Sequence, residues 1–346
     1  MPGTSPGMTA EGYLPLHRAA VIGAGAWGTA LANVCRRAGL DVVLWAREAE
    51  VVQSIAARRE NDLFLPGVPV DPAVRVTGDL AEAAGTDLVL MVVPTQHLRS
   101  VATGLASHLA PNVPVVDCAK GIEIATGELP SEILAEALPG HPIAALSGPT
   151  FAAEVARGLP TAITLAAPDL DLARRLAQAI GLPTFRPYAS DDLPGVEVGG
   201  AIKNVLAIAC GIVEGKGLGQ NARAALITRG LAEIVRLGRA KGGRTETAMG
   251  LAGLGDLVLT CSSTASRNYS LGLAIGRGES LADIQAQRRS IAEGVPTAAA
   301  LAALASRLGI ELPIAAAVNA ILHQGAEIDA TIAALLARPF RDEAET

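Results

Sequence analysis

The segment from Arg18 to Arg47, RAAVIGAGAWGTALANVCRRAGLDVVLWAR, constrains the fold of this 346-residue chain more than any other. It reads as strand, glycine turn, helix, glycine stop and strand, which together make one βαβ unit. Gly23, Gly25 and Gly28 carry the G-x-G-x-x-G spacing directly after the first strand. The first permits a tight turn, the second lets backbone approach a pyrophosphate, and the third lets helix and strand pack closely. The helix N-terminus that follows, with Ala26 and Trp27 in its first turn, stabilises negative charge. This context favours a dinucleotide site over a glycine turn kept only for packing.

The second strand ends Leu44-Trp-Ala-Arg-Glu48, so Ala46 and Arg47 stand where an NAD-selective turn would offer a carboxylate to the adenosine ribose. A cation there suits a 2′-phosphate. NADP(H) is therefore the expected cofactor, with NAD(H) accepted because Glu48 leaves a carboxylate close by. An ordinary surface arginine is the competing reading of Arg47.

Strand-like runs follow at 74–77, 87–94, 113–121, 142–149 and 161–166, then a helix at 171–180 and a short last strand, TFRPY. Strands alternating with helices imply a mostly parallel sheet covered on both faces. After about Asp192 the strand signals stop, and segments beginning at Val196, Arg223, Arg267, Thr297 and Ile314 are helical in pattern, with glycine or proline at their breaks. The expected fold is an α/β N-terminal Rossmann domain over 18–192 and an all-α C-terminal domain over 193–338. Residues 1–17 read as a disordered leader and 339–346 as a solvated tail. The chain is long enough for two cores.

A formal net charge of -6 gives no basic footprint for nucleic acid. No uninterrupted apolar run reaches the roughly 18 residues of a membrane helix, so no membrane insertion is expected. Cys35, Cys118, Cys210 and Cys261 lie far apart without a C-x-x-C pair, which suits buried thiols in a reducing, cytoplasmic compartment. The five histidines are scattered, and no metal is expected. The alanine-rich helical part is compatible with a homodimer.

The chain has four lysines, Lys120, Lys203, Lys216 and Lys241, against 24 arginines. An ammonium loses its proton near neutral pH when desolvated, which a guanidinium does not. Lys203 lies in GGAIKNVLAIACG, with Gly199, Gly200 and Ala207 at i−4, i−3 and i+4, a spacing that predicts a hollow beside the ammonium. Asn204, about 100 degrees round the helix, is placed to fix another polar group. A lysine snorkelling from a helix edge is the alternative.

Ligands of open α/β sheets lie beyond the carboxyl ends of the strands, which here read VVPTQ, DCAKG and SGPTFAAE. Lys120, in the second, is placed to meet an anion or a carbonyl. Thr150, in the third, is a candidate N-cap. Farther on, GLGDLVLTCSSTASRN sets Asp256 in a glycine turn and Ser266, Arg267 and Asn268 ahead of a helix, a ready phosphate site. A polar cap with Asp256 as its ion-pair partner is the plainer reading.

GAGAWGTALA, CAKGIE, SGPTFAAEVA, AIKNVLAIACGIVEG, GLGDLVLTC and SRN, in this order and at these separations, resemble the NAD(P)-dependent glycerol-3-phosphate dehydrogenase family over about 19 to 338. The resemblance implies reversible conversion of dihydroxyacetone phosphate, a small phosphorylated substrate, to sn-glycerol 3-phosphate, with a role in phospholipid supply. It implies that Lys203 is the catalytic acid/base and that Lys120 contacts both substrate and nicotinamide cofactor. Gly148, Thr150, Asp256, Ser266, Arg267 and Asn268 match its substrate positions. Trp27, Arg47, Ala152, Ile291 and Glu293 match cofactor contacts, and Arg267 is shared between the two ligands. Another two-domain dehydrogenase, of β-hydroxyacid or 6-phosphogluconate type, is the nearest rival, against which GLGDL and SRN argue. A non-catalytic NADP-binding sensor would not need Lys120, Lys203, Asp256 and Arg267 together.

Overall fold

The computed structural model describes residues 16–83, 85–287 and 292–339, so the expected leader and tail fall almost wholly outside the described residues. Its strands are β1 (Arg18–Ile22), β2 (Asp41–Trp45), β3 (Glu60–Asn61), β4 (Leu65–Pro69), β5 (Arg75–Thr77), β6 (Leu88–Met91), β7 (Val115–Asp117), β8 (Ile143–Ser147), β9 (Thr161–Ala166) and β10 (Phe185–Ser190). Eight of them form one sheet in the order β10-β9-β8-β7-β6-β1-β2-β5. The order runs outward in both directions from β1, which leaves a crevice between β1 and β6 at the strands' carboxyl ends.

The helices among these strands are α1 (Ala26–Arg37), α2 (Ala49–Arg58), α3 (Thr95–Ala106), α4 (Pro130–Ala137), α5 (Ala152–Ala156) and α6 (Leu170–Ile180). Alternate residues of β1 serve opposite faces of the sheet. Val21 belongs to the core lined by Leu31 of α1 and Leu176 of α6, whereas Ile22 belongs to the core lined by Leu98 of α3 and Ile133 of α4.

Two features depart from the simple alternation. β3 and β4 form a small antiparallel hairpin outside the main sheet. The sheet also reverses at β9, which runs antiparallel to β8, with β10 parallel to β9. The link from β8 to β9 contains only the five-residue α5, and it stays at the carboxyl rim instead of crossing the sheet. Gly148, Thr150 and Ala152 are kept at that rim as a result.

Beyond β10 the described chain is helical: α7 (Leu193–Gly215), α8 (Gly219–Ala240), α9 (Thr245–Ala248), a π-helical turn at Leu251–Gly255, α10 (Asp256–Cys261), α11 (Arg267–Gly276), α12 (Leu281–Gln287), α13 (Gly294–Leu308), α14 (Pro313–His323) and α15 (Ile328–Leu336). By length and composition α7 could cross a membrane, but Glu197 and Lys203 interrupt its apolar run and its apolar window is wholly buried within the protein. It is the core helix of this unit. Backbone meets backbone where it crosses α11: a Cβ on Gly211 would strike the Tyr269 carbonyl, and one on Gly272 the Ile208 carbonyl.

Leu193 and Val196 pack with Ala145 of β8, Ala166 of β9 and Ala252. Ten helical residues span about 15 Å, so α7 carries Lys203 from that contact toward the rim. Glu233 of α8, only 2% exposed, accepts the amides of Ile314 (2.6 Å) and Ala315 (3.2 Å) at the start of α14. Burial raises its carboxyl from 4.5 to about 7, opposed by those two amides. The folded state therefore binds this proton more tightly than the unfolded state. Its contribution is fully present below the unfolded value and is lost as pH rises toward and through about 7. Between those limits, Glu233→Gln should flatten the fall of stability with pH, measured by urea denaturation, by up to about 1.4 kcal/mol per pH unit.

Candidate active site

Gly23 has φ +114°, and its amide donates to the Trp45 carbonyl at 3.0 Å. A Cβ there would lie 2.5 Å from the Val92 carbonyl oxygen, and one on Gly28 would collide with the Gly23 carbonyl. Gly25 is different: a Cβ on it meets nothing within 4 Å among the described residues. It is the N-cap of α1 and has no side chain with which to cap the first amides. Beside it, the Trp27 indole Nε1 is buried with no hydrogen-bond partner among the described residues. An open cradle at a helix N-terminus and an orphaned donor fit a dinucleotide pyrophosphate.

The turn is held from behind by Asn61 of the β3–β4 hairpin. Its fully buried amide donates to the Ala24 carbonyl and to Thr29 Oγ1, both at 2.8 Å, and accepts from the Phe64 amide at 3.1 Å. At the end of β2, Ala46 is buried and Arg47 is largely exposed. Arg47 donates through Nε (3.1 Å) and Nη2 (2.8 Å) to Oε1 of Glu48.

Across the crevice, the Asp256 carboxylate joins the two lysines. Lys203 Nζ donates to Oδ1 at 2.6 Å, and Lys120 Nζ donates to Oδ2 at 2.7 Å. Lys203 also donates to Thr260 Oγ1 at 3.0 Å, and Lys120 to the Gly148 carbonyl at 3.1 Å. Burial lowers the Lys203 ammonium from 10.5 to about 8; Asp256 opposes the shift, and the charge on Lys120 adds to it. Two cations share one carboxylate, which leaves local positive charge for an anionic or polarised ligand.

The Ser-Arg-Asn turn approaches from the helical side. Ser266 caps α11 by accepting the Tyr269 amide, and Arg267 is exposed at the helix start. Asn268 Nδ2 donates to Asn204 Oδ1 at 2.9 Å, while its Oδ1 accepts the Gly294 amide at 2.9 Å. Asn204 in turn donates to the Lys120 carbonyl at 3.2 Å. This relay brings α11, α7 and the start of α13 to the lysine loop. Glu293, just before Gly294, has its carboxyl raised by burial, opposed by the charges of Arg267, Lys120 and Lys203.

Family models described as NAD-dependent glycerol-3-phosphate dehydrogenase N-terminus and C-terminus match residues 18–173 and 192–333. The chain belongs to this family. A glycerol-3-phosphate dehydrogenase [NAD(P)+] of Parvibaculum lavamentivorans is 59% identical over 95% of this chain and 99% of that relative. One of Caulobacter vibrioides is 56% identical over 96% of this chain and 100% of its own length. A crystal structure of glycerol-3-phosphate dehydrogenase from Coxiella burnetii superposes with a TM-score of 0.90 at 40% identity, covering 93% of this chain and 99% of that one.

Within this glycerol-3-phosphate dehydrogenase family member, Lys120, Gly148, Thr150, Lys203 and Asp256 are linked by direct hydrogen bonds, since Thr150 Oγ1 donates to the same Gly148 carbonyl at 3.2 Å. The cofactor-side candidates Gly23, Gly25, Ala26, Trp27, Gly28 and Arg47 line the β1 and β2 ends, and Ala152 opens α5 beside Thr150. Ile291 lies outside the described residues.

Three local expectations are corrected. Thr150 does not cap α5, because Phe151 holds the N-cap backbone position. Asp256 stands at the start of α10, after the π-helical turn, instead of in a glycine turn. The hollow predicted beside Lys203 is filled: a Cβ on Gly199 would strike the Ala252 backbone, and one on Gly200 would meet Ser147 Oγ at 2.8 Å and Lys120 Cγ at 3.4 Å. Thr260 escapes sequence reasoning for a related reason, since its i+4 relation to Asp256 is visible only once the segment is helical. Asn61 gives no sequence signal of its long-range contact.

Gly25→Ala should leave the melting temperature near that of the parent while weakening NADPH binding in a fluorescence titration. Gly28→Ala should instead lower the melting temperature, because its new methyl group meets backbone.

Proposed function

We propose that this chain interconverts dihydroxyacetone phosphate and sn-glycerol 3-phosphate, with NADP(H) favoured and NAD(H) accepted. In this reading 18–192 forms the cofactor domain and 193–338 the substrate and catalytic domain. The observation that carries it is the buried Lys203 ammonium, held by Asp256 and Thr260 next to Lys120 and brought to about 8. A proton donor and acceptor of that strength suits a ketone–alcohol interconversion near neutral pH.

Gly23, Gly25, Ala26, Trp27 and Gly28 would hold the dinucleotide pyrophosphate, with Arg47 at the adenosine 2′-phosphate and Ala152, Arg267, Ile291 and Glu293 completing the cofactor contacts. When bound, the nicotinamide ring supplies or accepts the hydride. Lys203 gives its proton to the ketone oxygen during reduction and takes it from the alcohol during oxidation. Lys120 polarises the same oxygen, and Asp256 keeps both ammonium groups in place. Gly148, Thr150 and Ser266 complete the substrate cradle, while Arg267 and Asn268 grip the phosphate. That grip converts remote binding energy into orientation at the carbonyl. A homodimer and a cytoplasmic location belong to the same reading, the latter supported by four buried free thiols.

Lys203→Ala should reduce kcat by about 10²–10⁴, followed at 340 nm, with NADPH binding preserved. Near-normal turnover would refute the acid/base assignment. In the parent enzyme, ketone reduction should decline as pH rises through about 8, and alcohol oxidation should rise across the same range, because the two directions need opposite protonation states of Lys203. Arg47→Ala should cost about tenfold in kcat/KM with NADPH and little with NADH, reflecting one lost charge-assisted contact. Equal losses with both coenzymes would remove Arg47 from the 2′-phosphate site.

A further inference from the structure

The VVPTQ segment after β6 has no part in the chemistry above, yet it meets the loop that carries Lys120. β7 ends at Asp117, so Lys120 stands three residues beyond the ladder, and its placement depends on how the following turn is held. Gln96, the second residue of α3, holds that turn with both ends of its amide. Nε2 donates to the Ile122 carbonyl at 2.7 Å, and Oε1 accepts the Ile124 amide at 3.1 Å. Reversing the amide would set donor against donor and acceptor against acceptor, so one orientation alone satisfies both bonds.

The same turn is anchored on its other side. Ile122 is fully buried in the apolar cluster built around α7, and the Lys120 carbonyl accepts from Asn204. Gly121 is required in the middle, because a Cβ there would lie 2.7 Å from Thr95 Oγ1 and 3.2 Å from Thr297 Oγ1. Asn204 and Asp256 thus tie Lys120 to the helical unit, while Gln96 ties its loop to the end of β6 at the crevice. Arg99, one turn farther along α3, pairs with Glu123 at 2.9 Å and reinforces the same attachment.

We infer that Gln96 is a positioning residue for Lys120: its amide fixes the 120–124 turn to the cofactor-binding sheet, so that Lys120 is set correctly relative to both ligands. The inference rests on the role proposed above for Lys120. Loss of the amide leaves the ammonium bonded to Asp256 and to the Gly148 carbonyl at the rim, but its loop loses both Gln96 ties to the end of β6, and small misplacements of a reacting group are expensive.

The test is a double-mutant cycle of Gln96→Leu with Lys120→Ala, reading kcat/KM for dihydroxyacetone phosphate with NADPH, together with hydrogen exchange of the 120–126 segment. In the parent background Gln96→Leu should lower kcat/KM by about 10- to 100-fold and speed exchange of that segment. In the Lys120→Ala background it should cause little further loss, because the group it positions is gone. Equal losses in both backgrounds, or parent-like exchange in Gln96→Leu, would overturn the inference. Normal activity of Lys120→Ala alone would instead defeat the proposed role of Lys120, while exchange would still report whether Gln96 holds the turn. If Gln96→Leu does not fold, Gln96→Glu keeps the acceptor for Ile124 and removes the donor to Ile122. It should show the same background-dependent loss, and a parent-like kcat/KM would overturn the inference.

Discussion

A lysine carried into the protein interior on a helix buried along most of its length either loses its proton or is met by a carboxylate, and the arrangement around α7 supplies the carboxylate. Lys203 is 6% exposed, and Asp256 is fully buried against it. The same carboxylate also receives Lys120, so a single anion holds together groups from the sheet rim and from two helices. Removing one partner of such a buried cluster leaves uncompensated charge, which commonly costs about 3–5 kcal/mol. The pair is therefore a structural constraint as well as a chemical one. Burial weakens Lys203's hold on its proton, and Asp256 limits how far that weakening goes.

The approach of Asp256 depends on small residues. Gly199 allows the backbone of 252–253 to lie directly on α7, and Gly200 leaves room for the stem of Lys120. The π-helical turn ahead of Asp256 shifts the helical phase before α10 begins, a local irregularity of the kind often found at functional sites. On the cofactor side, close packing is again set by glycines, but with one exception of consequence. Gly23 and Gly28 are enclosed by backbone, whereas Gly25 faces open space. Two glycines shape the turn, and the third keeps it open to a ligand.

The two halves are joined by polar contacts that local sequence patterns do not reveal. Glu197 of α7 accepts the Ser131 amide at 2.7 Å and its hydroxyl at 2.5 Å, which links the core helix to α4. The Asn204–Asn268–Gly294 relay links the Ser-Arg-Asn turn to the loop that carries Lys120. Each buried amide or carboxylate here needs a partner, so displacement of one element disturbs the next. The relay also means that Asn268 uses its carbonyl oxygen and one N–H within the protein. Much of the surrounding fold is legible in the sequence because its signals are local. The glycine spacing, the buried strand runs and the glycine or proline breaks of the long helices reflect backbone conformation and periodic burial within a few residues. The β3–β4 hairpin is less legible because β3 has only two residues, and the reversal at β9 depends on the path of a connection that propensity does not specify. The short α10 is obscured by the glycines ahead of it, which read as a turn until packing against α7 is known.

By itself, the sequence singled out candidate side chains for the chemistry: two of only four lysines, one aspartate, an Arg-Asn pair and a phosphate-type glycine turn. Their types and neighbours limit what they can donate, accept or neutralise. Tertiary structure alone decided that Asp256 would face both lysines, that Lys120's stem would occupy the space left by Gly200, and that Asn61 and Gln96 would support loops distant in sequence. Those outcomes depend on hydrogen bonds and close contacts between elements far apart along the chain, whose geometry exists only after the sheet and α7 have packed.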